Sequence, residues 1–212
     1  GSMSVNDVVF YKESNKHIII NGTMKVDGDL NIDMRDSTRI TSGTVELKGN
    51  FLVSNHPGVG SNVAITLNGT TDQTINQTGG NAFFDLFTIN KTSGNVTLLS
   101  NFSLSDTGQD LDLQDGTINM SGFDLTVADT LSTAAGTLIN TGCGTLTYGT
   151  HSPSLGTIDN GTSSPNITVD DDAENEGVNL IFTVTIDDVY CGGDFKVDVN
   201  INDGSATIAD SD

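Results

Sequence analysis

Apolar residues alternate with polar ones in short runs along most of this chain, and the runs return at a fixed spacing. Met24 and Val26 are followed, across a glycine, by Leu30 and Ile32; Val45 and Leu47 are followed in the same way by Phe51 and Val53. Alternation with a period of two marks a strand with one buried face. Each pair of runs belongs to a longer phrase, Gly-Thr-apolar-x-apolar-x-Gly-x-apolar-x-apolar. It starts at Gly22 and Gly43, returns in looser form at Gly94, carries one inserted residue at Gly116 and degenerates at Gly136. The copies begin 21, 51, 22 and 20 residues apart, a period near 21 with one long excursion. Such a period predicts a solenoid, whose units bury their apolar faces by stacking on one another. Gly28 and Gly49, between the two runs, are expected to turn the corners at positive φ. Connecting segments such as Thr38-Arg39-Ile40 supply a third strand, so each rung has three sides. The expected fold is all-β: a right-handed parallel β-solenoid with about 20–22 residues per rung.

Both ends depart from this grammar. Gly1, Ser2 and Met3 read as an expression tag. Residues 4–20 hold the apolar runs Val8 to Tyr11 and His17 to Ile20, parted by the polar stretch Lys12 to Lys16. An atypical leading segment is expected to cap the first rung, so the solenoid with its cap is assigned to residues 4–155. From His151 to Pro165 the composition turns to Pro, Ser, Gly and Asn, which places a linker at 156–164. Residues 165–212 then form a separate C-terminal β unit. Its strands carry Leu180, Phe182, Val184, Phe195, Val197 and Val199, and a lone small sheet would leave these in water. The unit is therefore expected to dock on the last rung, the other covers being a second copy of the chain, which would make a homo-oligomer, or residues downstream of this sequence.

Composition narrows the partners. Eight Lys and Arg against 28 Asp and Glu give a formal net charge of −20. Affinity for nucleic acid rests on cations that displace counterions, so nucleic acid is excluded, as is an anionic membrane surface. No apolar run reaches the length needed to span a bilayer. Cys143 and Cys191 fit no zinc spacing and read as two unrelated thiols; a bridge stays open if the C-terminal unit folds back. Asn90, Asn119 and Asn140 are placed either to stack inside the coil or to face solvent.

The run from Thr66 to Leu104 contains Gly69, Thr70, Gln73, Thr74 and Ile75, then Phe83, Leu86, Ile89, Asn90, Lys91 and Gly94. It resembles a repeat of very large secreted bacterial surface proteins, in which Gly-Thr-x-x-Gln-Thr-Ile leads to an aromatic-x-x-Leu-x-Ile-Asn-Lys-x-x-Gly strand. The resemblance covers residues 63 to 148 and implies a parallel β-solenoid in an adhesin or autotransporter-like stalk. Further on, Glu176-Gly177 precedes Leu180 to Thr185, followed by Val197-Asp198-Val199, Asp203 to Thr207 and the closing Asp210-Ser211-Asp212. This resembles the first half of a Calx-β domain, a calcium-associated antiparallel β-sandwich. A sandwich of that kind takes about 100 residues, and residues 165–212 supply 48.

The candidate site is acidic. Asp170, Asp171, Asp172, Glu174 and Glu176 share one short loop, Asp187 and Asp188 end a strand, and Asp210 and Asp212 close the chain. Ca²⁺ takes six to eight oxygen ligands, which clustered carboxylates supply, and the Calx-β resemblance implies calcium there. No catalytic residues are assigned. Polysaccharide lyases need a cationic base, and the only arginines, Arg35 and Arg39, fall in one early turn. Paired carboxylates could hydrolyse glycosides, but acids are spread along the chain. The functional expectation is a non-enzymatic, extracellular or cell-surface bacterial module that gives extension and display and meets a glycan or protein receptor. The rival readings are a carbohydrate-binding or polysaccharide-cleaving β-helix and a trimeric phage-type fibre.

Overall fold

The structure, a computed structural model, describes residues 2–12, 17–34, 39–56, 62–80, 85–140, 142, 144–153 and 157–159. Of the expected linker at 156–164 only Thr157–Asp159 is described, as a strand paired with Thr137–Ile139. The C-terminal β unit, and with it the expected oligomer contact, lies outside the described residues, as do Cys143 and Cys191.

The described strands form one hydrogen-bonded network of 16, and every pairing in it is parallel. The first turn comprises β1 (Ser2–Val5), β2 (Val8–Lys12) and β3 (Ile18–Ile19). The second comprises β4 (Thr23–Val26), β5 (Leu30–Met34) and the start of β6 (Ile40–Leu47). β6 rounds a corner: Ile40 and Thr41 pair with β3, and Thr44 to Leu47 pair with β4. Next come β7 (Phe51–Asn55), β8 (Asn62–Leu67), β9 (Gln73–Gln77) and β10 (Leu86–Leu98). The coil closes with β11 (Phe102–Leu104), β12 (Asp110–Asn119), β13 (Leu125–Thr133), β14 (Thr137–Ile139), β15 (Leu146–Pro153) and β16 (Thr157–Asp159). Three sides and a parallel stack are what the alternating runs predict. The leading segment is itself a full turn, with each of its strands in register with the turn that follows.

One side of the coil is eight strands deep, running through β1, β4, β6, β8, β10, β12, β13 and β15. Its inward positions make an apolar file in register: Met24, Val45, Ile65, Phe87, Leu111 and Leu131. All six are buried, five of them completely. Fully burying a Leu, Ile or Val side chain stabilises by about 1.5–3 kcal/mol, and each file repeats that gain at every turn. At mid-height the core turns aromatic. Phe87 meets Phe51 at 5.4 Å between ring centroids and Phe102 at 5.1 Å in an edge-on arrangement.

Two details depart from expectation. The long excursion between Gly43 and Gly94 contains ordinary turns, since Thr44 pairs with Ala64 and Ile65 with Phe87, offsets of 20 and 22 residues. What moves is the place of the Gly-Thr phrase. Gly22 and Gly43 stand before the side that carries β1, β4 and β8, whereas Gly94 and Gly116 stand after it, inside the bends of β10 and β12. The second departure concerns which glycine turns the corner. Gly43 takes φ +89, while Gly49 is not among the positive-φ residues. A Cβ on Gly49 would collide with the carbonyl of Gly28 on the preceding rung. Gly49 is thus dictated by close stacking, and the glycine that opens the phrase supplies the unusual backbone.

Candidate functional site

The most elaborate polar site lies inside the coil, at the corner between β8 and β9. Lys91 is 1% exposed, yet its Nζ donates to Gly69 O at 2.6 Å, Thr71 O at 2.8 Å and Gln73 Oε1 at 2.7 Å. An ammonium has three donors, and all three are used. Gln73, completely buried, accepts from Gly69 N through the same Oε1 at 2.9 Å. Its Nε2 donates to Leu47 O at 3.2 Å and to Gly49 O. Three successive turns are joined through two side chains. Burial holds the Lys91 pKa below the ordinary lysine value, and the Asp72 carboxylate acts in the opposite direction. Both residues belong to the motif quoted for the surface-protein repeat, where they served only as markers. The missed signal was parity: Gln73 stands two residues before the inward Ile75 and Lys91 two after the inward Ile89, so both had to point inward.

A second device runs along the outside. Asp7 Oδ1 accepts from Asp29 N at 2.9 Å, Asp29 Oδ1 from Asn50 N at 2.6 Å, and Asn50 Oδ1 from Thr74 N at 2.8 Å. A parallel ladder links Asn101 Oδ1 to Asp124 N at 3.0 Å and Asp124 Oδ1 to Thr145 N at 2.8 Å. Each Asp or Asn thereby caps a corner amide of the next turn, which would otherwise lack a partner. Its sequence signal is an Asp or Asn one residue before an inward apolar residue, as in Asn50-Phe51, Asn101-Phe102 and Asp124-Leu125. Of the two placements left open for Asn90, Asn119 and Asn140, stacking on one another is not the one found: Asn119 Oδ1 accepts from Ser121 N at 2.9 Å. Asn90 is exposed and donates to Gln114 Oε1 at 3.0 Å, and Asn140, buried, donates to Gly144 O at 2.6 Å.

Among the described residues, the other titratable groups lie at the surface, apart from one buried histidine. Lys48 meets Asp27 at 2.7 Å and Lys25 meets Glu46 at 3.5 Å. The hydrogen bond from Lys48, helped by the Ser4 hydroxyl, holds the Asp27 carboxyl below its usual range. His56, read in the sequence as part of a turn, is 3% exposed, and its burial pushes the imidazole pKa down to about 4. An open groove of about 410 Å³ crosses the outer face of β2, β5, β7 and β9, floored by Val9, Asn31, Leu52 and Asn76.

The nine acidic residues expected to hold calcium, Asp170, Asp171, Asp172, Glu174, Glu176, Asp187, Asp188, Asp210 and Asp212, lie outside the described residues. Among the described residues no three His, Cys, Asp or Glu side chains converge to hold a metal ion. Compared with known proteins, the chain matches no family model, no curated protein and no solved structure.

Proposed function

We propose that the chain is a structural and adhesive module of a large secreted or cell-surface bacterial protein, giving extension and surface display. The observation that carries this reading is the use to which the polar side chains are put. Gln73, Lys91 and the Asp7–Asp29–Asn50 and Asn101–Asp124 ladders all tie one turn to the next. A stack braced at its corners in this way resists bending, as a stalk must. Its outer positions are mostly short polar groups such as Thr66, Thr97, Thr117 and Thr126, all half-buried. The surface-protein repeat quoted from the sequence supports the same setting, with a glycan or protein receptor outside the cell. The proposal includes calcium at the acidic residues between Asp170 and Asp212, where binding would stabilise the folded chain by mass action.

Small-angle scattering of the purified chain, together with adhesion of chain-coated beads to glycan and protein surfaces, tests the reading. An elongated particle whose beads adhere is the expected outcome. A compact particle, or release of new reducing ends from a polysaccharide panel, overturns it. The calcium part has its own measurement: the melting midpoint should rise with calcium and fall back with chelator, and an unchanged midpoint removes calcium.

A further inference from the structure

From the groove across β2, β5, β7 and β9 we infer a binding site for a neutral oligosaccharide, lying along the coil axis. The inference rests on the adhesive reading and names the ligand class of one face. Its floor is a file in register, Val9, Asn31, Leu52 and Asn76, with Leu99 beside it. Val9 is 59% and Leu99 49% exposed, so the groove offers aliphatic surface that nothing within the described residues covers.

Between these apolar points stand unspent polar groups. Asn76 lines the groove with an amide nitrogen spent on no described group, while its Oδ1 is covered and accepts no hydrogen bond. Asn31 Oδ1 accepts from Ser54 Oγ at 2.8 Å, and Asn50 Oδ1 accepts from Thr74, which leaves both amide nitrogens available as donors. Asp7 and Asp29 commit Oδ1 to the corner ladder and keep Oδ2. Donors and acceptors therefore alternate with aliphatic patches at the spacing of successive strands, about 4.8 Å.

A ligand that answers all of these must donate and accept at short intervals and present C–H surface between, as the hydroxyls and ring faces of a sugar chain do. Charge narrows the class. Asp7 and Asp29 line the groove, and no described lining residue is cationic, so uronic or sulfated chains are repelled. A peptide is disfavoured as well. Within β5, β7 and β9 both edges are already paired, and a strand added at the outer edge of β2 would lie beside the groove and not along it.

The test is binding of the full chain to a printed array of neutral and acidic glycans, repeated with Asn76→Ala and Leu99→Ala after melting has shown that both variants fold. Retention on one or more neutral glycans is expected, with affinity reduced about tenfold by Asn76→Ala, the loss of one hydrogen bond and its orphaned partner. Retention on acidic glycans alone, on no glycan, or equally by wild type and both variants overturns the site. The adhesive reading fails separately: beads that still adhere while the groove variants bind glycan like wild type remove only the groove, whereas a compact particle or non-adherent beads remove the parent reading.

Discussion

Lys91 shows how a charged residue earns an interior position. A lysine amine taken out of water without partners costs several kcal/mol, and here Gly69 O, Thr71 O and Gln73 Oε1 replace its hydration completely. Lys91→Met keeps the length and fill of the side chain but leaves three acceptors facing an apolar methyl group. We expect it to lower unfolding free energy by about 3 kcal/mol, since each stranded acceptor costs about 1–3 kcal/mol and the turn relaxes in part. A loss below about 1 kcal/mol in urea titration would show that the corner holds without the amine. His56 makes the opposite case, a buried base kept neutral. Its folded pKa of about 4 lies below the unfolded value of 6.5. Above pH 6.5 both states are neutral and the group contributes nothing. Between pH 6.5 and 4 only the unfolded chain binds the proton, so stability falls as pH falls through this window, by about 3 kcal/mol at its end. Urea midpoints across that range, compared between wild type and His56→Gln, isolate the effect; parallel slopes would mean that His56 is not the group responsible.

At the scale of the element, strands set the faces and corners set the stacking. Asp29 sits at such a corner, taking the amide of Asn50 on its Oδ1 while its own amide is held by Asp7. Asp29→Ala strands the Asn50 amide at a partly solvated bend, and a loss of about 1 kcal/mol is expected. Hydrogen exchange should quicken at Asn50 first; unchanged protection there would mean that the ladder is incidental. The strands themselves were legible because their parity is local: Met24 and Val26, or Val45 and Leu47, report their buried face without reference to any other part of the chain. The phase of the repeat was not legible. Gly43 and Gly94 open similar phrases but turn different corners, and only the pairing of Ile65 with Phe87 reveals the ordinary turns between them. The role of Gly49 was hidden for a related reason, because a glycine required by a neighbouring carbonyl looks the same in sequence as one required by its own φ. Gln73 and Lys91 sat in plain view at inward positions. Composition argued against placing a lysine inside, and their justification comes from backbone carbonyls brought together by turns about 20 residues apart.

At the scale of the molecule, the same feature that makes the coil easy to extend makes it self-repulsive. Stacked turns bring exposed acids such as Asp7, Asp29, Asp72, Asp85, Asp106 and Asp115 onto one surface, and the chain as a whole carries 28 Asp and Glu against eight Lys and Arg. Attraction within the described surface is limited to pairs such as Lys25–Glu46 and Lys48–Asp27, and exposed pairs of this kind contribute between about 0 and 1 kcal/mol each. Repulsion acts over the Debye length, about 30 Å at 0.01 M salt and about 3 Å at 1 M, and thus spans several turns at low salt but less than one at high salt. Added sodium chloride weakens both kinds of interaction, but the like-charge interactions are more numerous and reach further. The melting midpoint should therefore rise from 0.01 M to 1 M salt by about 2–4 °C, the shift that roughly 1 kcal/mol produces in a chain of this size. Chelator present throughout keeps divalent cations out of the comparison. A midpoint that falls with salt would mean that ion pairs, and not apolar stacking with corner hydrogen bonds, hold the turns together.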